Sequence, residues 1–385
     1  AAGLRLRDRL WDPLAAALAG AETVLISPDG ALGRLPFAAL PGDSEETYLI
    51  DKYRLALVPV PQLIPVLTTP PLRNAAQREL LLLGDVDYSL RPESLDEAIA
   101  DDDGTPDRPL LPSERLLAGV RAATDGSHWD RLPGGAAEVG AIRDLYERLF
   151  GLGPDQIADL RGGEATEAQF RLLAPHCFQL HLATHGFFAA PDRESALSAS
   201  HLAEAEAAAG GSFSSSRRAL LGFSPGLLSG LVFAGANDPP ELPADGSKLT
   251  DIPDDGILTS DEIAMLPLGN VQLVVLSACE TGLGESAGGE GLLGIQRAFQ
   301  VSGVRSTIAS LWKVSDSATR QIMAEFYSNY LKKGMSPMDA LREAQLWALR
   351  NPDLRGAAPP EAELKMRRLS PRLWAAFTIS GDWRR

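Results

Sequence analysis

Val274-Val275-Leu276-Ser277-Ala278-Cys279-Glu280-Thr281-Gly282 is an apolar run that ends on a cysteine. An earlier run, Phe178-Gln179-Leu180-His181-Leu182-Ala183-Thr184-His185-Gly186, has the same build and ends on a histidine. Short, nearly continuous apolar runs are the mark of parallel strands buried on both faces. Reacting groups on such sheets gather outside the carboxyl ends of the strands. Cys279 and His185 therefore hold equivalent places on two strands. A thiol beside an imidazole is a nucleophile with its base, so the pair implies cysteine-peptidase chemistry.

Working outward, strands alternate with helices. Residues 4–19 read as an amphipathic helix with Leu4, Leu6, Leu10, Leu14 and Leu18 as its apolar positions. Thr23–Ser27 and Arg54–Val60 are strand candidates, and this first block contains neither Cys nor His. Leu80–Gly84 is a fully apolar strand. Val139, Ile142, Leu145, Tyr146 and Leu149 share one face of a helix over 136–150, with Gly151 as its C-cap. Thr166 and Gln169 form a capping box. Further helices are expected over 258–268, 292–300 and 317–332, and after Ser336-Pro337, an N-cap followed by proline at the first position. Strands are expected at 271–278, 304–311 and 375–380. The fold class is α/β, a mostly parallel sheet flanked by helices. Residues 88–133, with the acidic run Asp101-Asp102-Asp103, read as irregular. So does 189–256, an insertion or mobile loop in which only 227–234 looks ordered.

Composition narrows the classes. The 385 residues suit one large or two ordinary domains, with 45% apolar and 23% charged residues. A net charge of −15 argues against a nucleic-acid surface. Two cysteines fit a reducing compartment, and no zinc-ligand spacing exists. No run is long enough to span a bilayer, and no signal peptide is visible. The expectation is a cytoplasmic protein with no metal and no cofactor. The chain begins at Ala1 rather than Met, as a piece of a longer protein would.

Competing motifs are weaker. Gly222-Phe223-Ser224-Pro225-Gly226 matches a serine-nucleophile elbow, but all five histidines precede it and Pro225 offers no N–H. Gly282-Leu283-Gly284-Glu285-Ser286-Ala287-Gly288 misses the dinucleotide fingerprint by one position. Cys177 reads as a buried small hydrophobe and His181 as a satisfied core histidine. Asp316 is either the N-cap of the following helix or an acid that meets substrate. Glu280 and Glu290 are acidic candidates beside the Cys279 loop, and Glu290 can equally serve a helix N-terminus.

At these residues the chain resembles the CHAT family of caspase-like peptidases, related to caspases and separase. The likeness runs from Ile26-Ser27-Pro28-Asp29-Gly30 and Leu35–Leu40 through Leu182–Gly186, Val275–Gly282 and Ser310–Val314 to Trp374–Phe377 and Gly381-Asp382-Trp383. It implies a degenerate N-terminal part over 1–75 and a caspase-like peptidase domain over 76–385. It implies His185 and Cys279 as catalytic dyad, with the N–H groups of Gly186 and Cys279 as oxyanion hole. Likeness to the separase segment makes Asp316, with Glu280, a candidate binder of a basic substrate residue. The partners implied are a protein substrate and a sensor or repeat-containing domain that activates the peptidase, without direct nucleic-acid or membrane contact. Arg217-Arg218 would then be a self-cleavage point within a restraining loop. The competing reading is an inactive peptidase fold that serves as an interaction module in a signalling or defence assembly.

Overall fold

The computed structural model describes residues 2–44, 47–69, 78–90, 128–188, 226, 229–239, 254–277, 290–312, 314–351, 354 and 369–384. The Gly222–Gly226 motif (apart from Gly226), the acidic run, the Gly282–Gly288 loop and Arg217-Arg218 lie outside these residues.

Among the described residues, eight strands form the main sheet: β1 (Thr23–Ile26), β2 (Arg54–Leu57), β3 (Arg78–Val86), β4 (Ile157–Gly162), β5 (Cys177–Leu182), β9 (Leu273–Leu276), β10 (Ser306–Ser310) and β11 (Phe377–Gly381). Their order is β1-β2-β11-β10-β9-β5-β3-β4. All neighbours run parallel except β10 and β11. The strands of residues 1–75 thus join the same sheet as those that follow. Three short strands, β6 (Gly186–Phe188), β7 (Ser229–Val232) and β8 (Ile257–Thr259), make a second, antiparallel sheet.

Helices cover both faces. On one face lie α2 (Gly135–Phe150), α6 (Asp316–Tyr327) and α7 (Pro337–Arg350), burying Val139, Ile142, Ile322, Phe326 and Leu341 with Leu80, Leu82, Val275 and Ile308. The opposite faces of the same strands turn Leu81, Leu83, Leu180 and Val274 toward α3 (Glu167–Leu173), α4 (Ser260–Met265) and α5 (Glu290–Val301). Period-two alternation distributes each strand's side chains between two cores, which is why these runs show no polar face in sequence.

Several expectations need correction. The first helix, α1 (Ala2–Leu10), stops well short of residue 19. Pro13 supplies no N–H and its ring clashes with a helical carbonyl, and a 3₁₀ turn at Asp12–Leu14 replaces the helix. Leu4, Leu6 and Leu14 are exposed rather than packed. The helix expected over 258–268 begins as strand β8, because Thr259 and Glu262 cap α4 reciprocally and start it at Ser260. Thr166 caps α3 by accepting from the Gln169 N–H, without the return bond of a capping box. The histidine strand ends at Leu182, three residues before His185. Within 189–256, the piece expected to be ordered at 227–234 contains β7, the central strand of the small sheet, and Leu231, Val232 and Phe233 are buried in the core.

The small sheet is tied to the main domain by buried charge. Arg171 on α3 donates to Glu167 and, at 2.8 Å, to Glu262 on α4. Asp255, 5% exposed, accepts from the Ile257 N–H at 2.9 Å and opens β8. Burial, with the nearby Glu262 and Asp254 carboxylates, pushes Asp255 up to about 7. Burial likewise pushes Glu167 up. Because the folded state holds the Asp255 proton more tightly than the unfolded chain, this site favours folding at low pH. That contribution is lost as pH rises from about 4 through about 7. Asp255→Asn should therefore raise Tm more at pH 8 than at pH 5. Thermal unfolding of both proteins at the two pH values tests this, and an equal difference at both would contradict it.

Candidate active site

The site is built where β3, β5 and β9 end. β3 carries a register shift between Leu83 and Val86, with Asp85 at φ 53°. A bulge of this kind re-aims the residues beyond it. Beside it Gly84 makes room for α2: an added Cβ would lie 2.8 Å from Val139 Cγ1. Two residues past β3, the buried Tyr88 reaches the turn that follows β5.

His185 lies in that turn, 5% exposed. Its Nε2 is 2.7 Å from the Asp130 carbonyl oxygen. A carbonyl can only accept, so Nε2 carries a hydrogen, and whenever the ring is neutral its lone pair lies on Nδ1. Two aromatic rings pack on the imidazole, Tyr88 with centroids 5.1 Å apart and Trp129 at 5.5 Å. The tautomer of the neutral ring is thereby assigned by geometry.

The backbone of His185 is fixed as firmly. Its carbonyl accepts from the Val232 N–H at 2.9 Å, the bond expected between β6 and β7. The reciprocal bond is replaced by two hydroxyls. The His185 N–H donates to Tyr88 Oη (3.3 Å), Tyr88 pairs with Thr184 Oγ1 (3.0 Å), and Thr184 donates to the Val232 carbonyl. Since the one Thr184 hydrogen goes to Val232, Tyr88 must be the donor to Thr184. Burial pushes the Tyr88 phenol up to about 12, which keeps it a neutral donor. Antiparallel pairing alternates, so Gly186, opposite Leu231, is a non-hydrogen-bonded pair whose N–H points away from β7.

The other sequence candidates fall as follows. Cys279 and Glu280 lie outside the described residues. The chain leaving the neighbouring strand β9 is described to Ser277, whose N–H donates to the Leu182 carbonyl at 3.0 Å. Asp316 is the first residue of α6 and not its cap: the Ser315 side chain caps that helix by accepting from the Ala318 N–H. Glu290 opens α5. Cys177 is fully buried, donates to the Leu173 carbonyl at 3.4 Å, and burial pushes its thiol up to about 12. A buried thiol held protonated in this way suits a structural role. His181 is a core histidine, with Nδ1 3.0 Å from Tyr327 Oη and Nε2 3.2 Å from Glu138 Oε1. Among the described residues no group of three or more His, Cys, Asp or Glu could hold a metal ion, and no helix is long and apolar enough to cross a membrane.

The family model for the CHAT domain matches residues 1–382. The chain belongs to the CHAT family, whose domain is related to the caspase-like cysteine peptidases. No curated protein matches it.

Sequence reasoning missed Tyr88, Trp129, Thr184 and the Asp130 carbonyl. Tyr88 and Trp129 are the only aromatic residues of the irregular stretch 88–133, and that was the one signal available. A backbone acceptor leaves no signal at all.

Two substitutions separate backbone from side chain here. The Asp130 side chain is 94% exposed, so Asp130→Ala should keep the carbonyl, the fold and any activity. Tyr88→Phe keeps the ring but strands the buried His185 N–H, and should cost about 1–3 kcal/mol of stability. Chemical denaturation of the two variants checks both, and a destabilised Asp130→Ala with a neutral Tyr88→Phe would reverse the assignment.

Proposed function

We propose that this chain is a cysteine endopeptidase in which His185 is the general base for the Cys279 thiol. The observation that carries the reading is the Nε2–H bond to the Asp130 carbonyl, which leaves Nδ1 as the basic nitrogen of a buried, immobilised imidazole. Connectivity supports the pairing. His185 comes three residues after Leu182, Cys279 three after Leu276, and these two are register partners on adjacent parallel strands. Cys279 follows Ser277 by two residues, a span of at most about 7 Å.

The chemistry is acyl transfer. Nδ1 of His185 takes the thiol proton, and the thiolate attacks the peptide carbonyl. The N–H groups of Gly186 and Cys279 hold the oxyanion, a role supported by the Gly186 N–H pointing off the sheet edge. His185 then protonates the leaving amine as the C–N bond breaks, and water cleaves the thioester. Asp316 and Glu280 provide negative charge for an arginine or lysine before the scissile bond, since a desolvated carboxylate selects basic side chains. A partner or sensor domain relieves restraint by the 189–256 insertion.

Cleavage of a peptide library by the chain, intact and with residues 195–220 deleted to relieve the restraint, tests the reading. Cys279→Ala and His185→Ala should each abolish turnover while thermal unfolding stays within a few degrees of wild type. Arg or Lys should be preferred before the cleaved bond, and Asp316→Ala should weaken that preference. Equal turnover by wild type and Cys279→Ala would overturn the assignment. A preference for Asp, or an unchanged profile in Asp316→Ala, would overturn the specificity.

A further inference from the structure

The hydrogen bond that sets the His185 tautomer comes from a backbone carbonyl in a segment without regular structure. Something must hold that carbonyl in place. Residues 128–134 precede α2 and form no strand. The one side chain that grips their backbone at Trp129 among the hydrogen bonds described is Asn237, in the turn after β7. Its Oδ1 accepts from the Trp129 N–H at 2.8 Å, and its Nδ2 donates to the Trp129 carbonyl at 2.9 Å. The carboxamide thus pairs with both polar groups of one residue, as a facing strand residue would. Its other Nδ2 hydrogen meets Ser89 Oγ at 3.2 Å, and its backbone N–H donates to the Tyr88 carbonyl at 2.9 Å. Every polar group of the side chain is engaged, and the partners fix which end is oxygen.

The residues that Asn237 holds are those that meet the imidazole. Tyr88 and Trp129 supply the two rings on His185, and the next residue, Asp130, supplies the acceptor for Nε2–H. Asn237 itself stands on a firm base. Phe233 N–H donates to the Gly256 carbonyl at 2.7 Å, and Ala234 N–H to the Ala165 carbonyl at 2.9 Å. Gly256, at φ +79°, lets the backbone of Ala236 approach so closely that an added Cβ would lie 2.4 Å from its nitrogen.

We propose that Asn237 is a positioning residue for His185, holding the Trp129-Asp130 backbone so that the Asp130 carbonyl fixes the Nε2–H tautomer. The catalytic consequence rests on the reading of His185 as base, whereas the tautomer does not. A carboxamide is required: Asn237→Asp keeps the shape but faces the Trp129 carbonyl with a second acceptor, and Asn237→Ala removes both bonds.

The test is ¹⁵N NMR of ring-labelled histidine in the full chain, with the His185 signals assigned by their loss in His185→Gln. Wild type should give a pyrrole-like Nε2 and a pyridine-like Nδ1 signal. Asn237→Ala and Asn237→Asp should give averaged signals from both tautomers. In the same variants kcat/KM should fall about 100-fold, the scale of loss for a misplaced catalytic group. Should Asn237→Ala fail to fold, the isosteric Asp variant carries the measurement. A pure Nε2–H tautomer in the folded variants would overturn the proposal. A shifted tautomer in a chain that shows no peptidase activity even with residues 195–220 deleted would uphold the clamp and overturn the peptidase reading.

Discussion

A single acceptor, the carbonyl oxygen of Asp130, decides what His185 can do. An imidazole free to rotate and exchange tautomers presents the wrong nitrogen part of the time. The 2.7 Å bond to Nε2 removes that freedom, because a carbonyl cannot donate. The remaining features of the site keep this contact in register. The bulge in β3 brings Tyr88 to the ring, the Tyr88–Thr184 hydroxyl pair replaces a missing ladder bond, and β7 receives both ends of that arrangement through Val232.

This makes the three-stranded sheet more than an appendage. It receives the backbone of His185 on one side and carries the turn with Asn237 on the other. It is secured to the main domain through Arg171, which bridges Glu167 and Glu262 beneath β8. That anchorage is electrostatically frustrated: three buried carboxylates, Glu167, Asp255 and Glu262, gather near one guanidinium, and protonation relieves the excess.

Much of the plan was legible in the chain because parallel strands buried on both faces write themselves as unbroken apolar runs. Leu80–Leu83, Phe178–Leu182 and Leu273–Leu276 were readable for that reason, and so was the cap at Ser336-Pro337. The inertness of Cys177 and the core role of His181 were legible too, since each sits at the start or middle of a strand. Ser260–Met265 was harder, since the apolar positions Ile257 and Leu258 fit a helix or a strand until the Thr259 cap is seen. The hydrogen-bonding frame of His185 was invisible. It joins Tyr88, Trp129, Thr184 and Asn237 across up to about 150 positions, and its key atom is a main-chain oxygen that any residue could supply.

The central claim is that the imidazole of His185 activates the thiol of Cys279. The most direct measurement is mass spectrometry of the full chain after exposure to a peptidyl acyloxymethyl ketone ending in arginine, which alkylates an activated thiol. A single adduct on Cys279, absent from Cys177 and strongly slowed in His185→Ala, is the predicted result. Adducts on Cys177, or equal labelling of Cys279 with and without His185, would contradict it.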